Sequence, residues 1–129
     1  MKNKFSISWK SSKQPRKQRK YRYNSPLHVK QKFMRSLLST ELRKKYGKRN
    51  FSLRKGDKVK IMRGQFKKQE GKIDKVDLKK TKVYVSGIEI TKKDGTKTAY
   101  PINPSNLMIT ELDLEDKMRR KIMDREKTK

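Results

Sequence analysis

Residues 54–76 read RKGDKVKIMRGQFKKQEGKIDKV, and the fold turns on this stretch. Lys55-Gly56-Asp57 has the composition of a turn. After it, Val59 and Ile61 alternate with Lys58 and Lys60, the period-two pattern of a strand with one buried face. Residues 63–68, RGQFKK, form a basic loop holding one glycine and one aromatic. Beyond the loop, Ile73 and Val76 mark the apolar side of a second strand. Gly71 stands at its start, where a glycine permits positive φ or close backbone approach. The predicted unit is strand, basic loop, strand.

Downstream the same period continues. Val83 and Val85 alternate with Lys82 and Tyr84; Ile88 and Ile90 resume the pattern after Ser86-Gly87. Lys93-Asp94-Gly95-Thr96 carries the Asp-Gly signature of a hairpin turn. Residues 98–102 read as a short edge strand interrupted at Pro101. Asn103 to Asn106 turns the chain into a last strand, Leu107–Leu112. Five short strands with closely spaced turns predict a small, mainly β barrel over 51–112. Asp113 is expected to cap a C-terminal helix, with Asp116 completing a capping box. Glu115 to Arg119 and Asp116 to Arg120 are i,i+4 pairs of the favourable order. Leu114, Met118 and Ile122 form a stripe that faces either the barrel or a neighbouring molecule. Residues 113–129 are thus a helix with a short tail.

Upstream, Asn24-Ser25-Pro26 is a helix start, with Pro at the first helical position. Val29, Phe33 and Leu37 recur every four residues, flanked by Met34 and Leu38, which predicts an apolar helical stripe. Ser39-Thr40 caps a second short helix from Glu41 to Tyr46, stopped by Gly47. Residues 25–50 are therefore a helical entry segment. Residues 1–24 hold nine Lys/Arg and no acid, with Phe5, Trp9, Tyr21 and Tyr23 interspersed. Ser11, Ser12 and Pro15 argue against regular structure, so this reads as a basic extended arm, disordered when free. Either it is a solvated tail or it folds onto RNA, with cations on phosphates and Trp9 and Tyr21 stacked on bases. The interleaved aromatics favour the second reading.

Charge narrows the function. The 129 residues carry 39 Lys/Arg against 13 acids, a net +26. Residues 1–49 hold 17 Lys/Arg and one acid, for +16, and residues 50–129 supply the remaining +10. Charged residues make up 40% and hydrophobic ones 30% of the chain, against about 25% and 45–50% in ordinary globular chains. The core must be small, and self-repulsion opposes compaction until a polyanion neutralises it. Nucleic acid is the expected partner, ahead of an anionic membrane. There is no Cys and a single histidine, His28, so neither a disulfide framework nor a metal site is expected, and no cofactor. His28 reads as an RNA contact or a surface residue. No apolar run approaches about 18 residues, and the N-terminus lacks a signal-peptide core, so an intracellular protein is expected. Asp57, Glu70, Asp74, Asp77, Glu89 and Asp94 are scattered, each with a basic neighbour. Surface pairing explains them better than catalysis. With no G-x-x-x-x-G-K-[ST] loop either, an enzyme is not expected.

The spacing G-D-x-V-x-I-x-x-G-x-x-K, followed by G-x-I-x-x-V, resembles the KOW motif, an RNA-contacting hairpin. Together with SSKQPRKQRKY (11–21), NSPLHVKQKFMRSLLSTELRKKYGKR (24–49) and INPSNLMITELDLEDKMRRKI (102–122), it resembles one family. This is the KOW-containing large-subunit ribosomal proteins numbered twenty-four in the universal scheme and twenty-six in the eukaryotic one. The helical entry points to the archaeal and eukaryotic branch.

The resemblance implies a five-stranded Src-homology-three-like barrel lodged in large-subunit rRNA near the polypeptide tunnel exit. It also implies early subunit assembly beside neighbouring ribosomal proteins, and location in cytoplasmic ribosomes, or the nucleolus during assembly in a eukaryote. Lys13, Arg16, Lys17, Arg19, Lys20 and Arg22 would face phosphates, and Arg63, Gly64, Gln65, Phe66 and Lys67 would lie against rRNA. Lys68 and the helical-entry residues Arg35, Arg43 and Lys44 complete the candidate RNA contacts; Gly56 and Gly71 are structural turn residues. Lys68 stands where the family usually has Gly, which implies a different bend. The tail ends sooner than in many eukaryotic members. The alternative is a transcription-elongation KOW module, which predicts a partner domain and a less basic arm.

Overall fold

The computed structural model describes residues 4–125. After a 3-10 turn at Ile7–Ser11 come α1 (Pro15–Asn24), α2 (Leu27–Phe33), β1 (Arg35–Leu38), α3 (Thr40–Tyr46) and β2 (Asn50–Ser52). Then follow β3 (Lys58–Ile61), β4 (Glu70–Asp77), β5 (Lys82–Val85), β6 (Glu89–Thr91), β7 (Lys97–Ala99), a 3-10 turn at Pro104–Asn106, β8 (Leu107–Glu111) and α4 (Lys117–Asp124). Six strands form one sheet in the order β2-β1-β8-β3-β4-β5, and β6 and β7 form a separate ribbon. Only β1 and β8 run parallel. The result is a small α/β body dominated by its sheet. The tail expected after the last helix, residues 126–129, lies outside the described residues, as do residues 1–3.

The alternation in 58–61 is realised: Val59 and Ile61 are buried. Lys58 and Lys60 lie opposite Glu111 and Glu70 across the neighbouring strands and pair with them at 2.9 and 3.1 Å, the cross-strand charge pairing that favours this register. Ile73, Val83, Ile102, Leu107 and Ile109 fill the same core. Gly71 is a close-approach glycine: a Cβ there would meet Ser86 O and Val85 Cγ1 at 2.7 Å. Gly56 is doubly required, with φ +94° and only 2.7 Å from a hypothetical Cβ to Asp113 Oδ2.

Three expectations are corrected. The first concerns 25–38. Helix α2 stops at Phe33, and 35–38 is a strand with Ser36 and Leu38 inward and Arg35 and Leu37 outward. Leu37 and Leu38 sit opposite Met108 and Ile109 of β8. Ladder partners on both sides override the local four-residue stripe, since adjacent leucines fit either period.

The second correction concerns 4–24. Residues 15–24 are helical, not extended, and Pro15 opens the helix. The Gln18 side-chain amide donates to the carbonyls of Trp9, Lys10 and Ser12 at 3.1, 3.1 and 2.7 Å, folding the preceding turn against α1. The Tyr21 ring stacks on Phe5 (5.4 Å between centroids) and meets Phe33 edge-on (5.8 Å). Pro at the first helical position starts a helix instead of breaking one.

The third concerns the C-terminal helix. Its cap is Asp116, whose carboxylate accepts from Met118 N at 2.8 Å; Asp113 lies before the helix. Neither expected i,i+4 pair forms. Arg119 instead reaches Asp57, with Nη1 to Oδ1 at 2.7 Å and Nη2 to Oδ2 at 2.6 Å. Asp57 is 0% exposed, so it is a buried anchor and not a surface carboxylate. It also accepts from the backbone of Arg54 and Asp113. That anchor fixes the rotation of α4: Met123 points inward, while Met118 and Ile122 are 63% and 46% exposed.

The five expected strands all appear as paired segments, the fourth only in part. β7 pairs with β6 and ends at Ala99, and Ile102 makes a single bridge to Val83. Among the described residues no ladder joins β2 to β5.

Candidate nucleic-acid interface

The first group of candidate side chains sits on the loop between β3 and β4. Ile61 and Gln69 close it, with Ile61 N donating to Gln69 O at 2.9 Å and Lys68 N to Ile61 O at 2.8 Å. Arg63, Gly64, Gln65, Lys67 and Lys68 are exposed on it. Phe66 turns back and packs on Tyr100 at 5.1 Å, against the edge of the core. Its ring shapes the loop and the basic side chains face outward. Lys68 occupies the left-handed region at φ +75°. The bend expected to change is therefore one that a glycine would make easily, adopted here by a lysine.

The second group lies on α1 and just before it. Lys13, ahead of the helix, and Arg16, Arg19, Lys20 and Arg22 on it are exposed, and Lys17 is half-buried. Trp9 is half-buried in the turn that Gln18 holds. Tyr21 is buried between Phe5 and Phe33, so it is a packing residue and not a free platform for a base. Tyr23, which was not singled out as a contact, is 82% exposed. Arg19, Lys20, Arg22 and Tyr23 line a groove of about 690 Å³ whose far wall is the β4–β5 turn, with Lys79 and Lys80. Lys30 Nζ donates to the Lys79 carbonyl at 3.0 Å and ties α2 to that wall. Asp77 organises the turn by accepting from Lys80 N at 3.0 Å. That bond, ahead of the nearby lysine charges, holds its carboxyl below the ordinary value. Lys30, Lys79 and Lys80 were missed; the only sequence signal was the Asp-Leu-Lys-Lys-Thr turn composition at 77–81.

The remaining candidates are not gathered with these two groups. Arg35 lines a different groove, of about 510 Å³, with Arg54, Asp116 and Met118. Arg43 Nε donates to the Leu38 carbonyl at 2.7 Å, a helix-to-strand brace. Lys44 and His28 are exposed on α3 and α2.

Charge pairing separates structural from free cations. Among the described residues, only Arg54, Lys58, Lys60 and Arg119 pair with an acid. None of these is a candidate RNA contact. The Arg54 guanidinium holds the Asp116 carboxyl below its usual range, and Glu111 raises the Lys58 ammonium above its own. Lys48, by contrast, has its pKa lowered by burial against the end of α4, where it donates to the Ile122 and Met123 carbonyls. No group of three or more metal-ligating side chains comes together among the described residues. None of their helices is long and apolar enough to cross a membrane.

Exposed, unpaired cations on a helix and a loop carried by a small sheet, with an aromatic at a basic groove, are the features of a nucleic-acid-binding protein of the structural kind. The family that joins eukaryotic ribosomal protein L26 with its archaeal L24 counterpart matches residues 12–126. The large ribosomal subunit protein uL24 of Methanothrix thermoacetophila is 54% identical over 114 residues, covering 88% of this chain and 98% of that protein. The chain belongs to this ribosomal protein family. It is accordingly a non-enzymatic constituent of the large subunit, working in cytoplasmic ribosomes.

Proposed function

We propose that the chain clamps large-subunit rRNA near the polypeptide tunnel exit and supports early assembly, with α1 and the β3–β4 loop as its two principal contacts. The observation that carries this reading is the charge partition. Arg16, Arg19, Lys20, Arg22, Arg63, Lys67 and Lys68 are exposed and have no acidic partner among the described residues. Cations left unpaired on a folded surface serve a polyanion from outside. The contact is mostly to backbone and shape, because the deep groove of A-form RNA is closed to side chains.

The segments divide the work: 1–24 as the basic arm, 25–50 as the entry, 51–112 as the anchoring body, and 113–129 as the helix and tail, with α4 bracing the body through Arg119. The body works as a Src-homology-three-like barrel. Strands β8, β3, β4 and β5 supply four staves. Ile102, bridged to Val83 and led by the 3-10 turn into β8, supplies the closing fifth.

Replacing Arg16, Lys17, Arg19 and Lys20 by Ala tests the clamp. Binding to purified large-subunit rRNA is measured against salt. About eight neutralised phosphates give a slope near −7 in log K against log salt, and losing four of them flattens it by roughly 3–4. An unchanged slope removes the arm from the interface.

A further inference from the structure

We propose that the groove between α1 and the β4–β5 turn seats one unpaired nucleotide of the RNA strand, with the base on Tyr23 and its phosphates among Arg19, Lys20, Lys79 and Lys80. This rests on the rRNA-binding reading and names a site within it. Four observations meet there. The groove is lined by six cations and no carboxylate. Its volume, about 690 Å³, lies within the roughly 300–1,000 Å³ of small-ligand pockets, room enough for one splayed nucleotide. Tyr23 is 82% exposed at its rim, whereas Tyr21, two residues earlier, is sealed in packing. The opposite wall is held in an unusual conformation: Thr81, a β-branched residue, sits at φ +53°, a genuine outlier for its type. Backbone of that kind persists where surroundings over-determine it, and it clusters at ligand clamps. Just before Thr81, Asp77 holds the Lys80 amide and Lys30 the Lys79 carbonyl.

The chemistry fits a single strand. An exposed aromatic beside a cationic track is the common device for unpaired bases, since every base has a π-face. The groove also has a mechanical consequence. One wall belongs to the arm and the other to the body, so a nucleotide seated between them fastens α1 onto the sheet.

The test uses the full chain and a short fluorescent oligouridylate at low salt. Tyr23→Ala is expected to weaken binding about 5- to 150-fold, the equivalent of about 1–3 kcal/mol, and Tyr23→Phe to restore most of it. The pair Lys79→Gln/Lys80→Gln should lower the salt slope by about 1.4, at about 0.7 per phosphate on a single strand. The pair Lys92→Gln/Lys93→Gln removes equal charge from the exposed β6–β7 turn and should leave the slope in place. The proposal is overturned if Tyr23→Ala binds like the parent, or if the two lysine pairs act alike. If the parent binds rRNA with its full slope while Tyr23→Ala changes nothing, the groove alone falls. If the parent binds neither probe nor rRNA, the rRNA reading falls and takes the groove with it.

Discussion

The body and the N-terminal segment of this chain are built on opposite terms. The body buries Val59, Ile73, Val83, Leu107 and Ile109 to within 1% of full burial on strands joined in one sheet. The segment from residue 4 to 24 buries one side chain, Tyr21, and that one less completely, at 7% exposure; the Phe5 stack and the Gln18 amide hold it together internally, and the Tyr21 ring meets Phe33 beyond it. Helix α1 carries five Lys/Arg and no acid. Like charges at i,i+3 and i,i+4 oppose it, and ten residues are too few for an isolated helix to be more than marginal. The contrast teaches where each stability comes from. Apolar burial holds the body, while a few aromatic contacts hold the arm against its own charge repulsion. Local opening should therefore be cheap in α1 and global in β3 and β4.

The largest effect expected from breaking this contrast lies in the body. Arg119 and Asp57 are both buried, and Arg119 also donates to the carbonyls of Ser52 and Asp113 and stacks over Phe51. Arg119→Ala leaves an unpaired buried carboxylate. It should cost about 3–5 kcal/mol, a large share of the roughly 5–15 kcal/mol that holds a small domain. The double variant Asp57→Leu/Arg119→Leu should recover part of the loss, because no charge is left stranded. Urea denaturation of the three proteins checks this. Arg119→Ala melting like the parent would show that α4 is not anchored through this pair.

A smaller and more local effect is expected from Tyr21→Ala. Each of its two ring contacts is worth about 0.5–1.5 kcal/mol beyond simple burial. The substitution should strip hydrogen-exchange protection from α1 and leave the amides of Val59, Ile61 and Ile73 as slow as before. Equal loss in both regions would mean that arm and body open together, and the contrast between them would be wrong.

Much of the body was legible because period-two alternation and turn residues report directly on a sheet. Val59/Ile61, Val83/Val85, the Asp94-Gly95 turn and the Ser39–Gly47 capped helix all stand where the pattern places them. The failures share one physical cause. Leu37-Leu38 became a strand because β8 and β2 offered ladder partners, and α4 took its rotation from Asp57, 62 residues upstream of Arg119. Neither partner is visible in a local window. The candidate contacts fared similarly. Exposed cations were findable from charge alone, but whether an aromatic faces solvent or packing is a tertiary fact. Tyr21 and Tyr23 are near neighbours in sequence and opposites in environment. The basic groove needed Lys79 and Lys80 to meet α1 across the fold, which no spacing rule encodes.

The smallest effect comes from a charged residue that the body holds in a strained conformation. Lys68 holds φ +75° in the β3–β4 loop. A left-handed conformation costs an L-residue roughly 1–2 kcal/mol, and the extra freedom of glycine in the unfolded chain returns about 0.5–1 kcal/mol of that. Lys68→Gly should thus stabilise the protein by on the order of 0.5–1 kcal/mol, seen as a higher urea midpoint at unchanged m. If the side chain rests on a phosphate, the same substitution should lower the rRNA salt slope by about 0.9. The two readouts move in opposite senses, which separates them from a general loss of structure. A more stable variant with an unaltered slope would leave the strained lysine without an electrostatic reason. A variant no more stable than the parent would show that the loop carries no strain worth relieving. A gain in stability with a loss of slope would mean that the body spends part of its surplus on a phosphate contact, which the thinly packed arm has no surplus to do.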